Sequence, residues 1–132
     1  MLGNLYRIGI AVKNLDEAVA RMEHVLGLQV QERAVNEIQK VSWAWLPMGD
    51  SILELIAPTA PDSRVARFLE QRGEGLYLLG VSVENLEQAT TRLAQAGVEV
   101  LYPEPKPFPG GRKQNFIHPR DLHGVLLELI ED

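Results

Sequence analysis

Apolar and polar positions alternate from Leu5 to Val12. Tyr6, Ile8, Ile10 and Val12 fall on one side of an extended chain, and Arg7, Gly9 and Ala11 on the other. The large apolar set predicts a strand packed under a helix. The other set is small apart from Arg7 and predicts a face turned toward an enclosed space. The period changes at Asn14: Leu15, Ala18, Val19, Met22 and Val25 recur at helical spacing. Asn14 with Glu17 has the form of a capping box, and Gly27 is placed to stop a helix over Leu15–Leu26 in a left-handed turn. Strands are then predicted over Leu28–Arg33, Val41–Leu46 and Ile52–Ile56. Ala34 to Lys40 reads as a polar loop holding Glu37, and Pro47 to Asp50 as a turn.

This pattern is written twice. Leu5–Ala18 has a counterpart in Leu76–Ala89, 71 positions on and without a gap. Asn85 and Gln88 repeat the cap, Leu86, Ala89, Leu93 and Ala96 the helical face, and Gly97 the stop. Leu53-Glu54-Leu55-Ile56 returns unchanged as Leu127-Glu128-Leu129-Ile130, 74 positions on, so the second copy has longer loops. Its remaining strands are predicted over Val98–Tyr102, Gln114–His118 and Val125–Ile130, with a Pro- and Gly-rich loop from Pro103 to Gly111 and a turn from Pro119 to Gly124. Between the copies Pro58 to Pro61 breaks the chain, and Asp62 or Ser63 caps a short helix that ends near Arg72. The pattern predicts an α+β fold of two tandem βαβββ modules in a single domain over 1–132. Module one covers about 4–58, a linker helix about 61–73 and module two about 75–131.

Composition narrows the function classes. A chain of 132 residues suits one domain with a real core. A net charge of -5 argues against general nucleic-acid or anionic-membrane binding, which favour basic surfaces. With no cysteine there is no disulfide, thiolate nucleophile or Cys-ligated metal, which fits a reducing compartment. No apolar run approaches the ~20 residues that span a bilayer, and the first residues lack the features of a signal peptide. A cytoplasmic protein is the default expectation.

Several side chains are candidates for chemistry. Trp43 and Trp45 share one strand face and form either half of the core between sheet and helices or an apolar wall of a pocket; the core is the commoner outcome. His24 lies mid-helix, at the expected surface. His118 and His123 flank a turn, which suits a structural or rim role better than metal ligation. Arg112, Lys113 and Arg120 form a small basic set in an acidic protein, either a solvated face or a receiver for ligand phosphates.

Six stretches in order carry a resemblance: Ile8-Gly9-Ile10-Ala11-Val12, Val25-Leu26-Gly27-Leu28, Leu46-Pro47-Met48-Gly49-Asp50, Leu53-Glu54-Leu55-Ile56-Ala57-Pro58, Ala66-Arg67-Phe68-Leu69-Glu70 leading to Arg72-Gly73-Glu74-Gly75-Leu76, and Phe116 through Leu129 with its His-Pro-Arg-Asp-Leu-His-Gly segment. Over nearly the whole chain the sequence resembles the vicinal oxygen chelate superfamily of glyoxalases, bleomycin-resistance proteins and dioxygenases, most of all the methylmalonyl-CoA epimerases. The resemblance implies a curved mixed sheet cupping one cavity, helices outside, and a homodimer. It also implies a divalent metal held by four side chains, whose positions here are Arg7, Glu54, Leu78 and Glu128.

The first and third of those positions are His in the epimerases, and neither Arg nor Leu can ligate a metal. Two carboxylates beside a guanidinium make a poor dication site. The reading that follows has no metal and no other cofactor: Arg7 stands where the metal stood, salt-bridged to Glu54 and Glu128, and Leu78 fills the vacated space. Two functions are then expected. One is an isomerase or lyase acting on a small carboxylate or acyl thioester, with Arg7 stabilising an enolate and Glu128 or Glu37 handling the proton. The other is a non-catalytic small-molecule-binding protein of the bleomycin-resistance kind. Arg7, Glu54, Leu78, Trp43, Trp45, Arg112, Lys113 and Arg120 are the candidate ligand contacts.

Overall fold

Asn14 and Asn85 begin two helices in the same way. Each side-chain oxygen accepts the backbone N–H three residues on, from Glu17 at 3.0 Å and from Gln88 at 2.8 Å. Such a cap satisfies one of the donors that a helix start leaves unpaired. The structure, a computed structural model, describes every residue from Met1 to Asp132. In chain order it runs β1 (Leu2–Ala11), α1 (Leu15–Leu26), β2 (Glu32–Asn36), β3 (Val41–Met48), β4 (Ser51–Pro58) and α2 (Arg64–Arg72). There follow β5 (Gly75–Val83), α3 (Leu86–Gln95), β6 (Lys106–Phe108), β7 (Arg112–Ile117), a short 3₁₀ turn over Pro119–Asp121, and β8 (Leu126–Glu131). The eight strands form a mixed sheet, so the fold is α+β as the doubled pattern predicts. No helix is long and apolar enough to cross a membrane.

Two compact units make up the chain. One is Arg7–Tyr77; the other joins Met1–Tyr6 to Leu78–Asp132, so β1 contributes to both. In the first, the strands lie in the order β2-β3-β4-β1, with β1 parallel to β4 and the other neighbours antiparallel. One sheet face packs Ala44, Leu46, Leu53, Leu55 and Ala57 with Ile10 and Val12 against Leu15, Ala18, Val19 and Met22 of α1. Val25, expected on that face, is 55% exposed at the last turn of the helix. Gly27 ends α1 at φ 68°, and its N–H returns to Glu23 O. Ser63, not Asp62, caps α2 by accepting from Ala66 N at 3.0 Å.

In the second unit the order is β5-β8-β7-β6, and Asn4 of β1 donates its backbone N–H to Ser82 Oγ of β5 at 2.9 Å. Val83, Leu86, Ala89, Ile117 and Leu129 form its core with Val81, Leu93 and Leu127. Ala96 lies outside that core, exposed at the end of α3.

Three expectations about elements are corrected. The strand expected over Leu28–Arg33 lies later, at Glu32–Asn36, and takes in much of the supposed loop. Asn36 tightens the turn that follows by accepting from Gln39 N at 3.0 Å, and Lys40 adopts φ 58°. Val98–Tyr102 is not a strand. Only Val100 makes a bridge, to Ile117, while the Asn115 side chain pairs with both Tyr102 N and Tyr102 O in place of a ladder. The strand forms instead inside the Pro-rich loop, as β6. There Pro107 is tolerated because β6 is the sheet edge and needs no donor on its outer side. Tyr6, expected under a helix, packs edge-on against Phe108 at 5.7 Å.

Candidate functional site

The alternation of β1 places Arg7 and Gly9 on one face, and the register of β1 with β4 sets Gly9, not Arg7, beside Glu54. A glycine there leaves room next to the carboxylate. The Arg7 side chain reaches it, donating from Nη1 to Glu54 Oε2. On the other side of Glu54 its β3 partner is Trp45, whose indole N–H donates to the same oxygen. Arg7, Trp45 and Glu54 are 8%, 5% and 2% exposed. A carboxylate desolvated this far is tolerable only with charge-assisted hydrogen bonds, and this one has two on one oxygen. The guanidinium carbon also stands 6.0 Å from the Trp45 ring centre.

Trp43 and Trp45 lie on the Glu54 face, opposite the residues that pack on α1, with ring centres 4.8 Å apart. The expectation of a helix-facing core is therefore corrected. The register explains it: Ala44 and Leu46 between and beyond them take the helix side. Glu37 lies exposed in the β2–β3 turn. Four residues of strand separate that turn from Trp45, about 13 Å, so the structure does not bring Glu37 to the ion pair.

The second unit repeats this plan with apolar residues at two places. Glu128 is flanked by Gly80 of β5 and Phe116 of β7, as Glu54 is by Gly9 and Trp45. It is 0% exposed. At the position matching Arg7 stands Leu78, also buried, beside Leu126. The exact sequence repeat of the Glu-bearing tetrapeptide thus becomes a repeat of environment, a carboxylate beside a glycine, while the residues around it diverge in polarity.

Of the basic set, Arg112 is held in a clamp. Its Nη2 donates to Tyr6 Oη at 2.8 Å and its Nε to Pro109 O at 3.2 Å, with its guanidinium 4.8 Å and 4.7 Å from the Tyr6 and Phe108 ring centres. Lys113 and Arg120 are exposed. His118 has a structural role, its Nδ1 accepting from Arg120 N at 3.0 Å to start the 3₁₀ turn, and His123 is exposed there at φ 55°. His24 is exposed on α1. Sequence reasoning passed over Gln114, a buried polar side chain of β7 on the face that carries Phe116 and Glu128. The signal for it was present, since alternation within Gln114–His118 already puts Gln114 and Phe116 together.

Comparison with known proteins gives this geometry its context. A sequence profile of the Glyoxalase/Bleomycin resistance protein/Dioxygenase superfamily matches residues 6–117. YqjC, an uncharacterised protein of Bacillus subtilis, is 37% identical over 130 residues, 98% of this chain and 93% of its own. An ethylmalonyl-CoA/methylmalonyl-CoA epimerase of Cereibacter sphaeroides is 33% identical over 131 residues, 98% of each chain. Among solved structures, a variant Streptomyces coelicolor methylmalonyl-CoA epimerase in complex with 2-nitronate-propionyl-CoA matches with a TM-score of 0.92 at 35% identity, over 100% of this chain and 99% of that one. The chain belongs to the glyoxalase/bleomycin resistance protein/dioxygenase superfamily and is closely similar to its methylmalonyl-CoA epimerases.

Proposed function

We propose that the protein is a metal-independent member of this superfamily that binds a small carboxylate or acyl thioester and moves the proton on the carbon next to the thioester carbonyl. The observation that carries the reading is the buried pair of Arg7 and Glu54. Of the four positions that the resemblance assigns to metal ligands, Arg7 brings a fixed positive charge and Leu78 brings no lone pair. Glu54 Oε2 already accepts from both Arg7 and Trp45. These residues do not fit a transition-metal dication, which usually takes three or more protein ligands.

In this account Glu128 takes the α-proton, and the electron pair left behind moves onto the thioester oxygen. The Arg7 charge stabilises that oxygen from a position fixed by Glu54 before the reaction begins. Return of a proton from Glu128 to the opposite face of the enolate, after the enolate has turned in the site, completes an isomerase cycle without a metal. One observation favours a second reading, binding without turnover: Glu54 matches the Arg7 charge, leaving less of it for an enolate. The ligand similarity of the relatives supports an acyl thioester in either case.

The test is solvent exchange at the α-carbon of methylmalonyl-CoA in D₂O with chelator present, read by NMR, alongside calorimetric binding. Deuterium incorporation that Glu128→Gln abolishes, with binding retained, is the expected result. Binding without incorporation in the wild type establishes the second reading, and no binding of the thioester overturns both. We also propose a homodimer on the family resemblance, for which sedimentation equilibrium should give about twice the chain mass of 14.7 kDa.

A further inference from the structure

Gln114 is nine-tenths buried on β7, and its amide is oriented by chemistry. Nε2 donates to Pro107 O at 2.7 Å, and a carbonyl can only accept, so the amide nitrogen must face Pro107. That leaves Oε1 pointing elsewhere, and it is the one enclosed side-chain polar atom of the protein without a hydrogen-bond partner. An enclosed acceptor left unmet is costly, so a native protein seldom keeps one without a use for it. What Gln114 offers is an acceptor alone, since its donor is taken.

The place of this acceptor is set by register. Gln114 pairs with Ile130 on β8 and with Lys106 on β6, while Phe116, the next residue on the same face, pairs with Glu128. Gln114 is therefore one two-residue step, ~6.7 Å, along the strand from the row that holds the buried carboxylate. Its cover on one side is the sheet edge itself. β6 is three residues long and joined to β7 through Gly110 and Gly111, both at positive φ. Such a short edge is the part of the sheet that moves at least cost.

We propose that Gln114 is a ligand-contacting residue whose side-chain carbonyl accepts the hydrogen bond of an amide N–H on the pantetheine arm of an acyl thioester. This rests on the proposed function above. An acyl group with its carboxylate and thioester oxygens has only acceptors, so an acceptor in the protein discriminates against it. The first donor beyond the sulfur is the amide N–H, separated from the sulfur by two methylenes and from the α-carbon by five bonds, and this second span, extended, is comparable with one two-residue step of strand. A ligand that supplies this donor satisfies the orphan oxygen and gains affinity that an analogue without the N–H cannot.

The test is calorimetry on the full chain with propionyl-N-acetylcysteamine thioester, which has that one amide N–H, and with its N-methyl analogue, each against wild type and Gln114→Met. The wild type should bind the N–H ligand about tenfold or more tightly than the N-methyl analogue. Gln114→Met should bind the two alike, and at the weaker level. Equal binding of the two ligands by wild type overturns the inference without any variant, and so leaves loss of the Pro107 contact out of the question. Undiminished binding of the N–H ligand by Gln114→Met also overturns it while the proposed function stands. A wild type that binds neither this thioester nor propionyl-CoA overturns the proposed function and the inference with it.

Discussion

Arg7 and Glu54 bond out of register. The β1 neighbour of Glu54 is Gly9, and Arg7, paired with Ile52, reaches past that glycine to the carboxylate on the same face. The arrangement depends on three residues, an arginine, a glycine two positions on, and a glutamate on the parallel strand. It yields a buried ion pair whose charges have little access to water.

Removing only the cation should therefore be severe. Arg7→Met leaves Glu54 desolvated with Trp45 as its remaining named donor, and the expected loss is ~3–5 kcal/mol. Chemical denaturation against wild type measures it. A loss below ~1 kcal/mol would mean that water reaches the carboxylate.

Trp45→Phe keeps an aromatic ring beside Glu54 and deletes the indole donor. The expected loss is ~1–3 kcal/mol, the cost of a buried acceptor deprived of one partner plus a small packing defect. Thermal denaturation of the variant checks this. In the same position of the other unit Phe116 already does without such a donor, so Phe116→Tyr or Phe116→Trp tells little about Glu54.

Asp62 gives a pH-dependent signal that can be checked by itself. A hydrogen bond from the Lys40 side chain holds its carboxyl below the ordinary aspartate value. Because the folded pKa is depressed, the small contribution of this pair is present above the unfolded pKa and is lost as pH falls through the folded one. The pair is exposed, so the effect on stability is minor and shrinks with salt. NMR titration of the Asp62 carboxyl should show its midpoint rise in Lys40→Ala. An unchanged midpoint would remove the pairing.

Arg112 should control the mobility of the β6–β7 hairpin. Arg112→Ala removes both hydrogen bonds and both ring contacts of the clamp on Tyr6 and Phe108, so backbone amides of β7 and β6 should exchange about tenfold faster or more. Arg112→Lys should recover little, because an ammonium has neither the planar face nor the fixed fork of donors. Hydrogen exchange resolved to peptides that contain Lys106–Phe108 reads the effect.

The doubled strand-and-cap pattern made the fold legible, since Asn14 and Asn85 are local signals that a helix start obeys wherever it lies. The same doubling located Glu54 and Glu128, because an identical tetrapeptide at the end of each module lands beside the matching glycine, Gly9 or Gly80. Register was not legible. Which strand pairs with which residue sets the face of Trp43 and Trp45, and a period of two alone gives two faces without naming the one that meets the helix. β6 was missed because Pro107 argues against a strand unless the strand is an edge, which only the strand order reveals. Gln114 was passed over because its significance lies in one unmet oxygen, a fact of packing rather than of pattern.

The central claim is that a guanidinium occupies the role that the resemblance gives to a metal. Elemental analysis of the purified wild type, dialysed without chelator against buffer containing Co²⁺, Mn²⁺ or Zn²⁺ and then against metal-free buffer, tests it most directly. The account expects far less than one divalent ion per chain, and a stoichiometric site only after Arg7→His is combined with Leu78→His. One tightly bound divalent ion per wild-type chain, lost on Glu54→Gln or Glu128→Gln, would contradict it.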